Sequence, residues 1–234
     1  MKQTIVIATT NTGKIREIEK LLPSDTFTLL SLKDFGPIPE IIEDGETFDE
    51  NAYKKAFYTA RYLGLPALAD DSGLCVESLE GSPGVRSARY AGENATDLEN
   101  TRKLLHDMEG VTKRKAAFEC VISLAVPSGP ALTYEGRCEG VIAEKPSGSS
   151  GFGYDPVFYY PPLKKTFAEI SGAEKNKISH RGNALKELAK EVELVKKWLQ
   201  TRVEEIKKPK PDHEPYLQND WSTESFAIKK KSTS

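Results

Sequence analysis

Three features of the amino-acid sequence predict an α/β fold. Residues 4–8 form a short β-branched run that is typical of a buried strand, and a helical pattern follows it directly. A second helix is predicted after Thr47, because Glu50 three residues later completes a capping box. Residues 115–125 and 131–137 have the composition of strands, and the turn residues between them indicate a hairpin. Strands and helices are therefore mixed along one chain.

The first predicted helix follows the initial strand. Ile15, Ile18 and Leu21 recur at spacings of three residues, which places them on one helical face, and Pro23 ends the run. Residues 26–32 then have the pattern of a second strand. An irregular stretch rich in Gly and Pro separates this strand from the next helix.

The helix after Thr47 has the clearest boundaries in the sequence. Its apolar residues share one face, and Gly64 stands where a C-terminal glycine is expected. Residues 66–69 form a short apolar run that predicts another strand. We expect this strand to end at the acidic pair Asp70-Asp71.

The second half of the chain continues the mixed pattern. Residues 96–108 are predicted to form a helix, and residues 141–143 are predicted to begin a strand after the hairpin. Residues 148–153 form a glycine- and serine-containing loop. Residues 183–199 carry apolar side chains at helical spacing, which predicts one long helix against the core.

Composition divides the chain into a globular part and a polar end. Residues 1–203 are expected to form one domain, and residues 204–234 are expected to be a polar C-terminal extension outside the core. The 33 basic and 35 acidic residues give a net charge of −2. This balance argues against a global electrostatic grip on nucleic acid or on a membrane surface. No apolar run approaches the roughly 20 residues of a membrane helix.

The cysteines indicate a reducing compartment. Cys75, Cys120 and Cys138 cannot all pair within the chain, and they have no CxxC spacing. The apolar run at residues 4–8 is too short for the core of a signal peptide. We therefore expect a cytoplasmic protein.

The turn after the first strand is a candidate anion site. Backbone N–H groups at the start of a helix attract anions, and polar side chains with one lysine surround this turn. Its residues are Thr9, Thr10, Asn11, Thr12, Gly13 and Lys14. The sequence lacks the GxxxxGK[ST] pattern of a P-loop. An ordinary capped turn between strand and helix remains the alternative.

Two groups of carboxylates form a candidate metal site. Glu43 lies in an acidic stretch before the Thr47 helix, and Asp70-Asp71 follows an apolar strand. Adjacent carboxylates beside a buried strand are costly without a positive partner, and Mg²⁺ prefers such oxygen ligands together with phosphate. A solvated acidic loop and a capped Ser72 turn remain alternatives. Lys54 and Lys55 fall early in the same helix, where one of them could reach back toward the acidic group; a solvated helix face is the alternative.

Two later stretches have the composition of a nucleobase site. Residues 150–156 alternate glycine with aromatic side chains, which allows a flat ligand to approach and stack. His180 and Arg181 stand side by side and offer directed donors to a carbonyl or phosphate oxygen. A glycine-hinged turn with core aromatics and a surface His-Arg pair remain the alternatives. Taken together, these features are those that a nucleotide enzyme requires.

Six sequence blocks closely resemble the Ham1 family of inosine triphosphate pyrophosphatases, in its bacterial-type branch. The blocks occur in the family's order between about residues 2 and 199, and they read ATTNTGK, TFDENAYKKA, LADDSGL, GSPGVRSARYAG, SGFGYDPVF and EKNKISHRGNAL. One small departure is Thr10, where the family often has glycine. The extension after residue 203 is not part of the pattern.

The resemblance implies an enzyme with a long mixed central sheet flanked by helices and an active-site cleft between two lobes. It implies Mg²⁺-dependent hydrolysis of ITP, dITP and XTP to the monophosphate and pyrophosphate by a homodimer. By matching positions, Asp71 would be the general base. The metal ligands would be Glu43, Asp70 and Asp71, and the substrate contacts would be residues 9–14, Lys55, Ser72, Phe152, Gly153, Tyr154, Asp155, Lys175, His180 and Arg181.

These implied roles fit a simple chemical mechanism. Asp71 would orient and deprotonate a water aimed at the α-phosphorus, and pyrophosphate would leave against Mg²⁺ and lysines. Arg181, which only donates hydrogen bonds, would favour the purine 6-carbonyl over an amino group. The alternatives are a Maf-like pyrophosphatase for pyrimidine or modified nucleotides, a non-catalytic nucleotide-binding module, and a purely structural interaction protein.

Overall fold

The computed structural model describes residues 2–22 and 24–207, which form one seven-stranded sheet with helices on both faces. The sheet order is β2-β1-β3-β4-β5-β6-β7. The strands are β1 (Gln3–Ile7), β2 (Phe27–Ser31), β3 (Ala67–Val76), β4 (Lys115–Ala125), β5 (Ala131–Ile142), β6 (Phe158–Tyr160) and β7 (Lys165–Thr166). The helices are α1 (Thr12–Leu21), α2 (Phe48–Leu63), α3 (Asp97–Asp107), α4 (Gly172–Ile178), α5 (His180–Lys190) and α6 (Val192–Lys207).

The sheet is mixed, which confirms the predicted fold class. β1 pairs in parallel with β2 and with β3, whereas every pair from β3 to β7 is antiparallel. The predicted hairpin is formed by β4 and β5, and the predicted capping box at Thr47 and Glu50 begins α2. Gly64 ends α2 with φ 69°, a left-handed conformation that glycine adopts without a Cβ penalty.

β3 is much longer than the sequence pattern predicted. It was expected to end at the acidic pair, but it continues through Asp70 and Asp71 to Val76. Its ten residues pair with β4 throughout, and Asp70 lies opposite Ile122. This cross-strand pairing, which the local sequence does not display, keeps the polar residues in the strand. Likewise, residues 141 and 142 end β5 and do not begin a new strand.

Two hydrophobic clusters meet along β3. One contains Leu68 and packs β1 and β4 against α1, α5 and α6. The other contains Leu74 and packs the far ends of β4 and β5 against α3 and β6. The polar residues 70–72 lie between these two clusters, where a cleft of about 510 Å³ opens. A third, alanine-rich cluster joins α2 to the opposite face of β1 and β3.

The last predicted helix is two helices. The expected helix over residues 183–199 is broken at Glu191, whose N–H bonds the Leu188 carbonyl at 3.1 Å. This tighter turn ends α5, and α6 then runs to Lys207, so that residues 204–207 continue a helix. Residues 208–234 of the expected extension lie outside the described residues. Within the described ranges, no helix is long and apolar enough to cross a bilayer.

Gly136 sets how closely α5 packs on the sheet. A Cβ at this position would overlap the His180 carbonyl oxygen and approach the Ala184 nitrogen to 2.5 Å. Both atoms belong to the backbone of α5, which cannot rotate away as a side chain can. The absence of a side chain at Gly136 therefore holds the start of α5 against β5.

We predict that Gly136→Ala lowers the free energy of unfolding by about 1–3 kcal/mol, because it overpacks this contact. The matched control is Gly172→Ala in α4, where a Cβ meets no heavy atom within 4 Å. The control should leave stability unchanged or raise it by about 0.5–1 kcal/mol. Urea unfolding of both variants is the measurement, and equal stabilities would contradict the prediction.

Candidate active site

The start of α1 forms one wall of the cleft. The Asn11 side-chain oxygen accepts hydrogen bonds from the N–H groups of Gly13 at 2.9 Å and Lys14 at 3.1 Å, and therefore caps the helix. Thr9, Thr10, Asn11 and Lys14 line the cleft. The predicted turn between strand and helix is thus formed, and Asn11 satisfies two of the N–H donors at the helix start. That the turn binds an anion stays a prediction.

The glycine-aromatic loop packs on this turn. A Cβ on Gly13 would lie 2.7 Å from a ring carbon of Phe152, so only glycine leaves room for the ring beside the start of α1. The ammonium of Lys175 lies 4.5 Å from the centre of the same ring, on which it makes a cation–π contact. Phe152 therefore joins the predicted anion turn to the predicted base pocket.

Asp70 and Asp71 point to opposite faces of the sheet, because successive side chains of a strand alternate. Asp71 lies on the α2 side, where its Oδ1 accepts a hydrogen bond from Lys55. Asp70 lies on the α1 and α5 side, where its Oδ2 meets Lys14 and Arg181. Both carboxylates are buried, at 1% and 7% exposed, and each has its own cationic partner.

Lys55 joins two carboxylates that are distant in sequence. Its Nζ lies 2.9 Å from Asp71 Oδ1 and 2.8 Å from Glu43 Oε2. Burial raises the pKa of Asp71, and Lys55 offsets part of this effect. Burial opposes the charge of Lys55, but the carboxylates of Asp71, Asp70 and Glu43 outweigh it and raise the lysine's pKa. Two carboxylates therefore converge on one positive charge at the cleft.

Asp70 is the centre of a buried ion network. Burial alone would raise its pKa, but Arg181 and Lys14 outweigh burial and hold the pKa well below its usual range. Arg181 donates to Asp70 through Nε at 3.2 Å and Nη2 at 2.8 Å, and to Ser72 Oγ at 2.9 Å. Its Nη1 bonds Glu17. At most one of its five N–H groups therefore remains for a ligand.

Lys175 and Asp155 fix the glycine-aromatic loop. Asp155 Oδ2 accepts from Lys175 Nζ at 2.6 Å and from the N–H of Phe152 at 3.0 Å. Burial raises the pKa of Asp155, and Lys175 offsets only part of this effect. Tyr154 donates its hydroxyl to the Ser87 carbonyl at 2.8 Å. These bonds leave the Phe152 ring at the cleft.

His180 is a neutral base-pocket candidate. Burial, followed by the positive charges of Arg181 and Lys175, lowers the pKa of His180 well below its ordinary value. Its ring stacks on Phe118 with centroids 4.7 Å apart. Among the described residues, its buried Nδ1 has no hydrogen-bond partner.

Comparison with known proteins identifies the family. The sequence model of the Ham1 family matches residues 5–191. The chain belongs to the Ham1 family. It is similar to the dITP/XTP pyrophosphatase of Desulfotalea psychrophila, with 57% identity over 93% of this chain and 98% of the relative. It is also similar to the dITP/XTP pyrophosphatase of Syntrophobacter fumaroxidans, with 62% identity over 85% of each chain.

The solved structures agree with this family. A HAM1 protein from Coxiella burnetii superimposes with a TM-score of 0.75 at 46% identity, over 80% of this chain and 97% of the other. The Staphylococcus aureus Ham1 protein gives a TM-score of 0.71 at 40% identity, over 86% of this chain and 100% of the other.

This Ham1 chain brings most of the predicted site residues to one cleft. The cleft lining contains the following predicted residues: Thr9, Thr10, Asn11, Lys14, Glu43, Lys55, Asp71, Ser72, Phe152, Gly153, Tyr154, Asp155, Lys175, His180 and Arg181. Thr12 and Gly13 lie at the start of α1 beside it. Asp70 lies beneath the cleft in the ion network.

The predicted metal ligands divide into two groups. Glu43 and Asp71 face each other across Lys55, and their oxygens are the donors that Mg²⁺ prefers. Asp70 faces the other side of the sheet, and its Oδ2 is already held by two cations. In the part of the chain that the structure describes, no three His, Cys, Asp or Glu side chains gather into a metal site. Glu43 and Asp71 thus fit a cation that phosphate and water would help to coordinate.

Sequence reasoning missed two residues that position the site. Glu17 on α1 bonds Arg181 and lies 3.3 Å from Lys175, so it joins the two cations. Its spacing of three residues from Lys14, which places both on one helical face, was the available signal. Asp97 at the start of α3 accepts the N–H of Gly153 at 2.7 Å. No local pattern marks that contact, because 56 residues separate the partners.

We predict that Asp70→Asn lowers the free energy of unfolding by about 3–5 kcal/mol, because it leaves the buried Arg181 and Lys14 without their shared counter-charge. The control, Asp44→Asn, makes the same chemical change in an exposed ion pair with Lys54. The control should cost less than about 1 kcal/mol. Urea unfolding compares the two, and a similar loss in both would contradict the role of Asp70.

Proposed function

We propose that this protein hydrolyses non-standard purine nucleoside triphosphates, namely ITP, dITP and XTP, to the monophosphate and pyrophosphate. The names of the similar curated enzymes, dITP/XTP pyrophosphatases, support this choice of substrate. The observation that best supports the proposed reaction is that Glu43 and Asp71 both contact Lys55, in the cleft that the start of α1 also lines. Hydrolysis of a triphosphate requires positive charge to bind the phosphates and a base to activate water, and this cleft offers both.

Glu43 and Asp71 would hold Mg²⁺ between them, with phosphate oxygens completing the coordination. When bound, Mg²⁺ would neutralise phosphate charge that the acidic cleft would otherwise repel. The ammonium of Lys55, now between the two carboxylates, would turn toward the phosphates. Lys14 at the start of α1 would contribute a second positive charge to the leaving pyrophosphate.

Asp71 is the proposed general base. Its carboxylate lies at the cleft, where a water directed at the bound phosphates would come within its reach. In the proposed reaction, Asp71 takes a proton from a water that attacks the α-phosphorus, and the bond to the pyrophosphate oxygen breaks. Gly73, two residues later in β3, lets the backbone lie against the Gly84 carbonyl oxygen and the Ser87 hydroxyl, where a Cβ would overlap them.

The base pocket is proposed to combine stacking with hydrogen bonding. The Phe152 ring offers a stacking surface, and base–aromatic stacking is worth about 1–3 kcal/mol. The neutral His180 and the remaining N–H of Arg181 are the proposed donors to the purine edge. Most N–H groups of Arg181 donate to Asp70, Glu17 and Ser72. We therefore propose that Arg181 affects base choice partly by fixing the position of the pocket residues.

We also propose a homodimer whose interface includes an apolar face on and beside α2. Ile42, Tyr58 and Tyr62 are 72%, 51% and 60% exposed. They line a groove of about 680 Å³ that adjoins the cleft, since Ile38, Pro39 and Thr59 line both. Exposed aromatic groups of this kind are typical of interfaces.

The proposed catalytic unit is residues 1–203, with a reducing, cytoplasmic location suggested by the free cysteines.

The test of function is pyrophosphate release from ITP, dITP, XTP, ATP and dTTP, with Mg²⁺ and with excess chelator. We expect rapid release from the first three substrates, slow release from ATP and dTTP, and loss of activity in chelator. Preference for dTTP would favour a Maf-like enzyme, and binding of ITP without product would favour a nucleotide-binding module.

Asp71→Asn should lower kcat by about 10²–10⁴-fold, the range for removal of a general base. Binding of ITP, measured by calorimetry, should persist. Asp25→Asn is the control, because Asp25 is exposed and its Oδ1 accepts a hydrogen bond from the neighbouring Thr26 hydroxyl. An unchanged kcat in Asp71→Asn would remove Asp71 from the mechanism.

Light scattering should give about twice the 25.9 kDa mass of one chain. The double variant Tyr58→Glu/Tyr62→Glu should shift the mass toward the monomer, because buried carboxylates would oppose association. Leu98→Glu, at an exposed position on α3, is the matched control and should remain dimeric. A monomeric wild type, or a dimeric double variant, would contradict the proposed interface.

A further inference from the structure

Glu43 lies in a segment that has little structure of its own. Residues 36–45, between a short helical turn at Leu32–Phe35 and the start of α2, form neither helix nor strand. Near its end, Gly45 is tied to Asn51 of α2 by a hydrogen bond of 2.8 Å. Because no ladder of backbone bonds fixes the segment, individual contacts must set the position of Glu43.

Two cationic side chains make these contacts at Glu43. Lys55 binds its carboxylate at 2.8 Å. Arg89 binds its backbone, donating from Nη2 to the Glu43 carbonyl oxygen at 3.0 Å across 46 residues of sequence. Arg89 also lines the cleft and keeps a side-chain exposure of 27%. Its ionic contact to the exposed Glu93 is long, at 3.8 Å.

The backbone that carries Arg89 is firmly held. Asn100 of α3 is buried, donates to the Ala88 carbonyl at 3.0 Å and accepts from the Ala91 N–H at 2.8 Å. These two bonds bracket Arg89 on both sides. Ser87, two residues earlier, bonds the N–H of Leu74 in β3 at 2.9 Å. Arg89 therefore reaches Glu43 from a fixed base on β3 and α3.

We propose that Arg89 is a positioning residue, which keeps Glu43 opposite Asp71 when a divalent cation replaces the Lys55 ammonium between them. This inference rests on the proposed function. A divalent cation bound by Glu43 and Asp71 would displace Lys55 Nζ, which now lies 2.8 and 2.9 Å from their oxygens. Lys55 can then no longer hold Glu43, whereas Arg89 can, because it binds the carbonyl and leaves the carboxylate free.

The contact between Arg89 and the Glu43 backbone is a hydrogen bond from a charged donor to a neutral carbonyl oxygen. A hydrogen bond from a charged donor contributes about 1.5–3 kcal/mol. Without Arg89, cation binding must order the segment that this contact now holds, and a cost of that size corresponds to a loss of cation affinity of roughly 10- to 100-fold.

The experiment compares Arg89→Ala with Arg86→Ala in the full-length protein. Arg86 lies on the same helical turn, Gly84–Arg89, and is exposed. Arg86→Ala therefore removes one positive charge but leaves the contact between Arg89 and Glu43 in place. Binding of Mn²⁺ alone is measured from the electron paramagnetic resonance signal of the free ion. The Mg²⁺ dependence of ITP hydrolysis is measured separately, together with kcat and KM at saturating Mg²⁺.

Arg89→Ala should weaken Mn²⁺ binding and raise the half-saturating Mg²⁺ concentration by roughly 10- to 100-fold, with kcat at saturating Mg²⁺ within about threefold of wild type. Arg89→Lys, which keeps one donor at a similar reach, should recover part of the affinity, and Arg86→Ala should match wild type. Urea unfolding of all variants separates a loss of fold from a loss of cation affinity.

The proposal is overturned if Arg89→Ala binds Mn²⁺ as wild type does, if Arg86→Ala is equally impaired, or if wild type binds no Mn²⁺. A fall in kcat at unchanged cation affinity would also overturn it, since that result assigns Arg89 to the substrate. A wild type that binds Mn²⁺ but releases no pyrophosphate from ITP refutes the proposed function alone, because the Mn²⁺ comparison uses no substrate.

Discussion

The site depends on the alternation of side chains along β3. Because the strand stays paired with β4 through its acidic residues, Asp70 and Asp71 must face opposite sides of the sheet. Each side then supplies its own cation, Lys55 from α2 for one carboxylate and Arg181 from α5 for the other. One strand thereby separates a carboxylate that is free for chemistry from a carboxylate that holds the structure together.

The buried charges on the Asp70 side explain why the cleft keeps its shape. Removing charged groups from water is costly, and the cost is recovered only when every partner is in place. Glu17 connects Arg181 to Lys175, and Lys175 continues to Asp155 in the glycine-aromatic loop. A substitution of any residue in this ion network is therefore expected to disturb both the proposed phosphate site and the proposed base pocket.

This network changes the interpretation of Arg181. The sequence presented it as a donor for the purine edge, and the structure uses four of its N–H groups for Asp70, Ser72 and Glu17. Truncation of Arg181 would leave Asp70 without its main counter-charge. An altered base preference in such a variant would therefore not show that Arg181 itself contacts the base. His180, which is neutral and stacked on Phe118, is easier to examine separately.

Much of the fold was predictable from local patterns. The capping box at Thr47, the αL glycine at position 64 and the hairpin turn were read correctly because each is decided by residues within a few positions. The full length of β3 and the break at Glu191 were not predicted, because long-range pairing and packing override the local pattern there. The short strands β6 and β7 likewise carry too few residues for a period to appear.

By itself, the sequence determined which residue types are available: an anion turn, paired carboxylates, a glycine-aromatic loop and a His-Arg pair. Only the tertiary structure decided which of them meet. It placed Asp71 with Lys55 and Glu43, gave Asp70 to Arg181, and used Glu17 and Arg89 as supports. The physical reason is that a charge on a strand acquires its partner from whichever element packs on its face, and that element can lie a hundred residues away.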